Sequence, residues 1–458
     1  MKLQMKKIIT LLLALAMMCS IPVVSLAAKK VESGKDGKKI TWVLDSKGTL
    51  TISGEGKLKK SFSRREDIKK VIIEDGITEI DGTFNFCYNL KSVKISDSVK
   101  KIGRCAFDDC HNLTDLTLGK GVEEIGDCAF DSTDIKSIEL PDGLKKIGEL
   151  SFAHTKIEKI KIPDSVTELG SYAFYECCEL VTAEIGEGVK EIKECAFMLC
   201  ISLKNLTLGS NVRKFEMGAF HNCGKLKSVV IPKCTKTIGI RAFGYDNDFS
   251  DEEVHPFIKV PGFRIYGYKG TASEKYAKEN GLKFTDITTK ATLSATSFTY
   301  NGTTQKPVVT IKNAEGKKLV EGKDYTVKYP SKSKDVGKYT VTVTLKGKYI
   351  GIKKLTYQIR PKSTSISKLT AGEKQFKAQW YKRSTQTTGY QIQYSTSSNM
   401  SNAKSLRINK NTSTSKTFTG LKSNTTYYVR IRTYKTVTSN GKNVRIYSSW
   451  SNVKSVKV

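Results

Sequence analysis

Eight phenylalanines recur along the first half of this chain at a nearly fixed stride: Phe84, Phe107, Phe130, Phe152, Phe174, Phe197, Phe220 and Phe243, separated by 23, 23, 22, 22, 23, 23 and 23 residues. A constant period of this size means one structural unit copied and stacked, not a globule with an enzyme-like cleft. Function is then expected on a long surface of repeated units.

The unit can be read residue by residue. The copy around Phe107 runs Val99-Lys-Lys-Ile102-Gly103-Arg-Cys105-Ala106-Phe107, then Leu113-Thr-Asp-Leu116-Thr-Leu118. The copy around Phe152 runs Leu144-Lys-Lys-Ile147-Gly148-Glu-Leu150-Ser151-Phe152, then Ile157-Glu-Lys-Ile160-Lys-Ile162-Pro163. The alternation in Leu116-Thr117-Leu118 predicts a short strand with one buried face. Gly or Pro-Asp, as at Pro141-Asp142-Gly143, marks the turn. One unit is too short to bury its own apolar side, whereas stacked copies bury a continuous core. The phenylalanine column is the spine of that core, each ring contributing about 2–3 kcal/mol.

These residues resemble the leucine-rich repeats of bacterial surface protein A-like (BspA-like) proteins. The family unit, Ile-Gly-x-x-Ala-Phe-x-x-Cys-x-x-Leu-x-x-Val-x-Ile-Pro, is matched by Ile102 to Leu118, Ile192 to Leu208 and Phe215 to Pro232, within about residues 77 to 243. The resemblance implies a curved solenoid with a parallel sheet on its concave side. Both ends carry cap-like segments. Lys39 to Gly54 reads as a hairpin around Gly48. Near the other end, Thr271 reads as a helix N-cap and Asn280-Gly281 as a helix stop.

Residues 1–27 read as a secretory signal: Lys2, Lys6 and Lys7, an apolar core from Ile8 to Met18, and Ser25-Leu26-Ala27 as a cleavage signal. Cys19 follows Met17-Met18 and lacks the small residue of a lipoprotein signal. No later stretch has the length of a membrane span, and no sorting motif or hydrophobic tail closes the chain. The expectation is a secreted or extracellular protein, released or held non-covalently at the wall. Ten cysteines remain after residue 27. Three residues after each of the first seven Phe stand Cys87, Cys110, Thr133, Thr155, Cys177, Cys200 and Cys223. Alternation with Thr suggests a small buried slot filled by free thiols, although an exported chain leaves a disulfide open. Cys105, Cys128 and Cys195 form a second column. Cys178 and Cys234 fit neither and are the candidates for reactivity. With no Cys-x-x-Cys pair, a zinc site is not expected.

The chain changes character near residue 287. From Ile287 to Val458 there are 33 Lys and Arg against five acids, Glu315, Glu321, Asp324, Asp335 and Glu373, a net +28 of the chain's +32. Residues 28–286 are close to neutral. Short alternating runs in 287–361, with Tyr300-Asn301-Gly302, Gly322-Lys-Asp324-Tyr325 and Gly347-Lys-Tyr349, resemble a bacterial Ig-like domain. Residues 362–458 resemble a fibronectin type III domain, on Trp380, Tyr390 to Tyr394, Leu421 with Tyr427, and Tyr447-Ser-Ser-Trp450-Ser. The fold class is therefore mainly β: signal 1–27, N-terminal cap 28–76, leucine-rich repeat solenoid with C-terminal cap 77–286, and two Ig-like β-sandwich domains.

A field of this sign attracts polyanions over about 8–10 Å in physiological salt. Anionic cell-wall polymers, sulfated or sialylated glycans and acidic lipids are the candidate partners of 287–458, with solubility as the plain alternative. No nucleic-acid motif is present. On the solenoid, the outward positions of the repeated strand include Lys94, Asp115, Thr117, Glu139, Lys159, Lys161, Glu184, Asn205 and Thr207. This face is polar and free of aromatic residues. It is open to two readings, a surface for an unidentified protein or glycan ligand and a solvated surface. No catalytic motif appears and no cofactor is implied. His111 and His221 read as decoration of repeat loops. The acidic insert Asp246 to Glu253 lacks the Gly and spacing of a calcium loop. The sequence therefore points to an exported, non-enzymatic adhesion or interaction protein. An accessory module of wall degradation and a purely structural wall component are the alternatives.

Overall fold

The computed structural model describes residues 30–247, 257–439 and 441–458. They form two compact units, one running to Thr285 and one from Asp286 to Val458. The signal-like residues 1–27, His255 and positions 248–253 of the acidic insert lie outside the described residues.

In the first unit every rung is bonded to the next along several lines. One is a parallel sheet through Lys70–Ile73, Ser92–Ile95 and Asp115–Thr117, resumed by Lys159–Ile162, Thr182–Ile185 and Asn205–Thr207. A second, which the sequence reading missed, runs through two-residue strands such as Lys101–Ile102, Glu124–Ile125 and Lys146–Ile147. Strands this short show no alternation to read. A third line has no strand geometry. Cys105 (φ 49°) and Asp109 (φ 55°) are left-handed, and the N–H groups of Cys105, Phe107 and Asp109 donate to the carbonyls of Asp127, Ala129 and Asp131 at 2.9–3.0 Å. The same pair recurs at Cys128/Ser132, Leu150/His154 and Tyr172/Glu176. A left-handed non-glycine residue costs roughly 1–2 kcal/mol. The inter-rung hydrogen bonds offset it at about 1 kcal/mol each.

The phenylalanine rings are fully buried and stacked nearly parallel. Successive centroids are 5.0–5.6 Å apart, from Phe62 through Phe84, Phe107, Phe130, Phe152, Phe174, Phe197 and Phe220 to Phe243. The stack thus begins one rung before the expected start at residue 77. Phe62 was hidden because its rung has Arg65 where the next seven have Cys or Thr. Trp42 closes this end edge-on at 5.3 Å from Phe62. At the other end Tyr276 takes the Phe243 N–H at 3.0 Å and donates to its carbonyl at 2.9 Å. Tyr276 sits on the only helix among the described residues, α1 (Ala272–Glu279). Thr271 is at its N-cap position, but its hydroxyl donates to the Tyr268 carbonyl and does not cap the helix N–H groups. Gly281, at φ +60°, ends the helix as expected. The N-terminal hairpin pairs Ile40–Asp45 with Thr49–Gly54.

Cysteine or threonine in the slot three residues after Phe goes with the length of the turn. Rungs with Cys place the next core Leu three residues later, as in Cys110 and Leu113. Rungs with Thr place it two later, as in Thr133 and Ile135. The thiols of Cys87, Cys110, Cys177, Cys200 and Cys223 reach the Phe carbonyl of the rung before, at 3.1–3.3 Å. Thr133 and Thr155 bond the Phe carbonyl of their own rung at 2.9 Å, closing the tighter turn. All ten described cysteines are free. Sheet interruptions follow the change of turn length at two places. The first sheet is reduced to one bridge, Ser137 to Lys159, at the Phe130 rung. The second sheet breaks between Glu168–Leu169 and Glu191–Ile192. A further break, between Asn205–Thr207 and Ser228–Val230, has no counterpart in the period.

The second unit holds two sandwiches. In the first, strands Lys290–Leu293 and Val309–Lys312 pack on a four-stranded sheet across Val309, Ile311, Val341, Val343, Tyr357 and Ile359. In the second, Ile366–Gly372, Gln375–Trp380 and Ser415–Thr419 face a sheet built on Gly389–Ser395 and Thr426–Ser439. Trp380, Tyr390, Phe376 and Ile431 fill that core, and Tyr427 Oη accepts the Lys422 N–H at 3.0 Å.

Phe152 lies between two rings at 5.4 Å, with no space for its neighbours to collapse into. Phe152→Ala should cost about 3–5 kcal/mol. Urea unfolding followed by circular dichroism measures it, and a loss below about 1 kcal/mol would contradict a load shared along the ring stack.

Candidate interaction surfaces

The nine outward residues expected on the repeated strand are all exposed. Register aligns several across neighbouring rungs. Lys94 lies opposite Thr117, Lys161 opposite Glu184, Glu184 opposite Thr207, and Lys159 and Asn205 both flank Thr182. Asp115 lies opposite Ser92. Glu139 stands apart, on the rung where the sheet is interrupted. There the floor opens: Leu118, Ile138 and Leu140 are only half buried. They line a groove of about 680 Å³ with Pro141 and Pro163, and Thr117, Glu139 and Lys161 are at its rim. Three sequence-predicted residues thus meet around an apolar floor that the sequence reading did not see. The signal was present, in the two 22-residue gaps.

The face is not free of aromatic residues, contrary to the sequence reading. Arg264–Gly267 joins the sheet beside Ser228–Val230, which puts Tyr266 opposite Val230. Its alternation, Phe263-Arg-Ile-Tyr, was legible but was assigned to a cap.

A second groove, of about 500 Å³, lies along the left-handed columns and is lined by Leu150, His154, Tyr172, Tyr175, Cys195 and Met198, among others. It brings a histidine and a thiol to one lining, but not as a nucleophile and base. His154 Nδ1 is 2.7 Å from Asp131 Oδ1 and its Nε2 is 3.6 Å from Glu176 Oε2. Burial pushes the Cys195 thiol up, against thiolate formation. The Cys195 thiol, then burial, raises the Tyr172 hydroxyl to about 12. His221 is buried, bonded to Asn247 Oδ1 at 3.0 Å with Phe257 beside its ring, so it is structural and not loop decoration. Cys178 is half-buried with its thiol 3.8 Å from the Leu199 carbonyl, and burial pushes that thiol up as well, against thiolate formation. Among the described residues no group of three or more His, Cys, Asp or Glu is placed to hold a metal ion, and no helix is long and apolar enough to cross a membrane.

The second unit differs in its electrostatics. The fifteen ion pairs that join two described residues all fall between residues 32 and 279. Of its five acids, Asp324 accepts the Val320 N–H, Asp335 accepts from Gln386, and Glu315 accepts from Asn313. The excess of Lys and Arg over these acids gives the unit its positive field.

Stacked rungs of 22 or 23 residues with a short strand and a recurrent Leu or Ile, followed by sandwich domains, define a modular leucine-rich repeat protein. The family model described as "BspA type Leucine rich repeat region" matches residues 58–180 and 167–254 in six copies, and this solenoid belongs to that family. The fibronectin type III family model matches residues 360–448. No curated protein is significantly similar to the chain. Among solved structures, a leucine-rich repeat protein from Eubacterium ventriosum is 24% identical, covering 52% of this chain and 73% of that one at a TM-score of 0.37. A leucine-rich repeat protein of T. pallidum is 29% identical, covering 42% and 90%, at 0.34. A leucine rich cell surface protein from Faecalibacterium prausnitzii is 21% identical, covering 56% and 95%, at 0.23. At these TM-scores the likenesses add no weight to the family matches.

Two outcomes test this chemistry. Cys234 alone among the described cysteines is exposed, so a maleimide should label one site fast in the native protein, and Cys234→Ser should abolish that phase. Burial, then Asp109 and Asp131, push the Asp108 carboxyl up to about 6. An unfolded Asp titrates near 3.9. Between these values the folded chain holds more protons, so Asp108 lowers stability as pH rises through that window. Asp108→Asn should raise the melting temperature at pH 7.5, with the gain shrinking as pH falls toward 4; a gain independent of pH would contradict the assignment.

Proposed function

We propose that this chain is an exported, non-enzymatic interaction protein of the bacterial surface. In this reading the solenoid binds a protein ligand and the basic sandwiches serve as spacer and attachment to anionic wall polymers. The groove at the Phe130 rung carries the first part. A repeated polar sheet offers many equivalent positions, whereas a partner needs a distinct apolar centre with a polar rim. Leu118, Ile138, Leu140 and Pro141 supply the centre, and Glu139 and Lys161 the rim. Extended sheet surfaces of this kind are the usual binding surfaces of solenoids. The net charge of +28 on residues 287–458 supports the second part. Residues 287–361 fit an Ig-like spacer, with a core of their own. Export rests on residues 1–27, and adhesion on analogy with the family.

The test uses the full chain against purified host matrix proteins and purified wall polymer. Saturable binding to a matrix protein should fall at least tenfold in Glu139→Lys/Lys161→Glu, with the fold unchanged by circular dichroism. Wall-polymer binding should weaken steeply with added salt. Turnover of wall polysaccharide by the purified chain would overturn the non-enzymatic reading.

A further inference from the structure

In the last domain, the strand Thr426–Ser439 buries Tyr427, Val429 and Ile431 and so turns Arg430 and Arg432 to the opposite face. Both guanidinium groups lie against Trp450, at 4.6 and 4.2 Å from its ring centroid, and Arg432 also lies 3.9 Å from the Tyr447 ring. Each is locked from the neighbouring strand. Arg430 donates Nε and Nη2 to Gln393 Oε1 at 2.9 and 2.7 Å, and Arg432 donates Nε to Gln391 Oε1 at 2.8 Å. Gln393 and Gln391 lie directly opposite these arginines in the ladder. Arg407, exposed, lies opposite Gln391 on the next strand and adds a third cation to the row.

This arrangement holds like charges together without a counter-ion. Arg430 and Arg432 are two residues apart on one strand, roughly 7 Å. No carboxylate of the described residues forms an ion pair with either. Burial, and repulsion from Arg430, disfavour the charged form of Arg432. An amide oxygen fixes each guanidinium in direction but neutralises nothing. The N–H groups not used by glutamine keep the forked geometry that matches oxyanions. Stacking also bears on what kind of polyanion fits. A nucleic acid strand gains much of its affinity from bases laid on free aromatic faces, and sugar rings use such faces as well. Here Trp450 and Tyr447 are already covered by guanidinium groups.

We propose that Arg430 and Arg432, held by Gln393, Gln391 and Trp450, form a preorganised oxyanion site for a phosphodiester-linked polyol of the cell wall. The site takes successive phosphates of one chain, one on each guanidinium. It rests on the reading of the basic domains as an attachment to anionic wall polymers, and it places the centre of that attachment on one sheet face.

The test titrates the full chain with a synthetic glycerol-phosphate oligomer by calorimetry at several salt concentrations. Arg430→Gln/Arg432→Gln should lose at least tenfold in affinity and flatten the salt dependence. Lys317→Gln/Lys323→Gln, which removes the same charge from exposed positions of the other sandwich, should lose less than threefold. Arg430→Lys/Arg432→Lys keeps the charge but not the fork, and should bind clearly less than the native chain. It also guards against misfolding of the glutamine variant. If native chain binds and the two glutamine variants weaken equally, or if lysine restores full affinity, the local site is wrong while the wider attachment reading stands. If the native chain does not bind the oligomer, the attachment reading fails with it. Tighter, Arg430/Arg432-dependent binding of a heparin fragment or of single-stranded DNA would overturn the assignment to a polyol phosphate.

Discussion

The distance between one rung and the next governs this molecule. Stacked phenylalanine rings sit 5.0–5.6 Å apart, close to the 4.7–4.9 Å at which neighbouring strands bond. Both sets of contacts can therefore form at once. The close approach explains residues that would otherwise look arbitrary. Gly126 and Gly148 have ordinary backbone angles, yet a Cβ on either would stand 2.7 and 2.5 Å from the carbonyl carbon of the glycine in the rung before. Glycine is required there by proximity and not by a turn. From Phe84 to Phe220 the same closeness keeps the slot beneath the ring small, and a thiol or a threonine fills it. Burial then raises the thiols of Cys110, Cys200 and Cys223 well above their ordinary range. They act as compact apolar filling with one weak hydrogen bond each, which reconciles many cysteines with no disulfide.

Charge is arranged by the same axis. In the second sheet of the solenoid the outward residues read Lys57, Glu79, Lys101, Glu124, Lys146 and Glu168, each opposite the next. Three of these neighbours form ion pairs at 3.0–3.9 Å. Exposed pairs contribute little individually. Their value is in register, since a slip by one rung would set like charges side by side. Glu168 and Glu191 are where the alternation fails, and there the second sheet also breaks. A solenoid whose charges are spent on its own neighbours has little long-range field. The basic sandwiches, by contrast, carry +28 of the chain's net charge and so most of its long-range field.

Much of the fold was legible because stacking forces the sequence to repeat. The phenylalanine column, the buried slot, the repeated strand and the hairpin before the first rung all follow from periodicity. The rest was hidden for physical reasons. Two-residue strands such as Lys101–Ile102 carry no alternation, and their hydrogen bonds are made by backbone that every sequence shares. The left-handed positions named above are filled by Cys, Leu, Tyr, Ser, Glu, Asp and His, and of these only Asp and His favour a positive φ. The first rung was obscured because Phe62 keeps the ring and loses the flanking pattern. On the candidate surfaces, exposure and side were readable from strand parity for Lys94 through Thr207. The groove was not, because it depends on a missing ladder between rungs and not on any residue type. The stacking of Arg430 and Arg432 on Trp450 depends on the path of residues 448–450 over the sheet, which no local pattern encodes.

A perfectly regular solenoid has an awkward property as a binding protein: every rung presents the same face, so no register is preferred. Specificity requires a place where translation along the axis fails. In this chain one such place goes with a turn shortened by one residue. Cys110 is followed by Leu113, but Thr133 is followed by Ile135, and the shortened turn puts Ser137 to Leu140 out of ladder with Asp115–Thr117. Ile138 and Leu140 then stay half buried where their counterparts Val93 and Ile95 are covered. The ring stack continues through this rung undisturbed, with Phe107 and Phe130 parallel to within 1° at 5.4 Å. The core therefore tolerates the irregularity that the surface displays. Lengthening the Thr133 turn by one residue should restore the ladder and close the groove without disturbing the spine, which separates the binding role of this face from the stability of the fold.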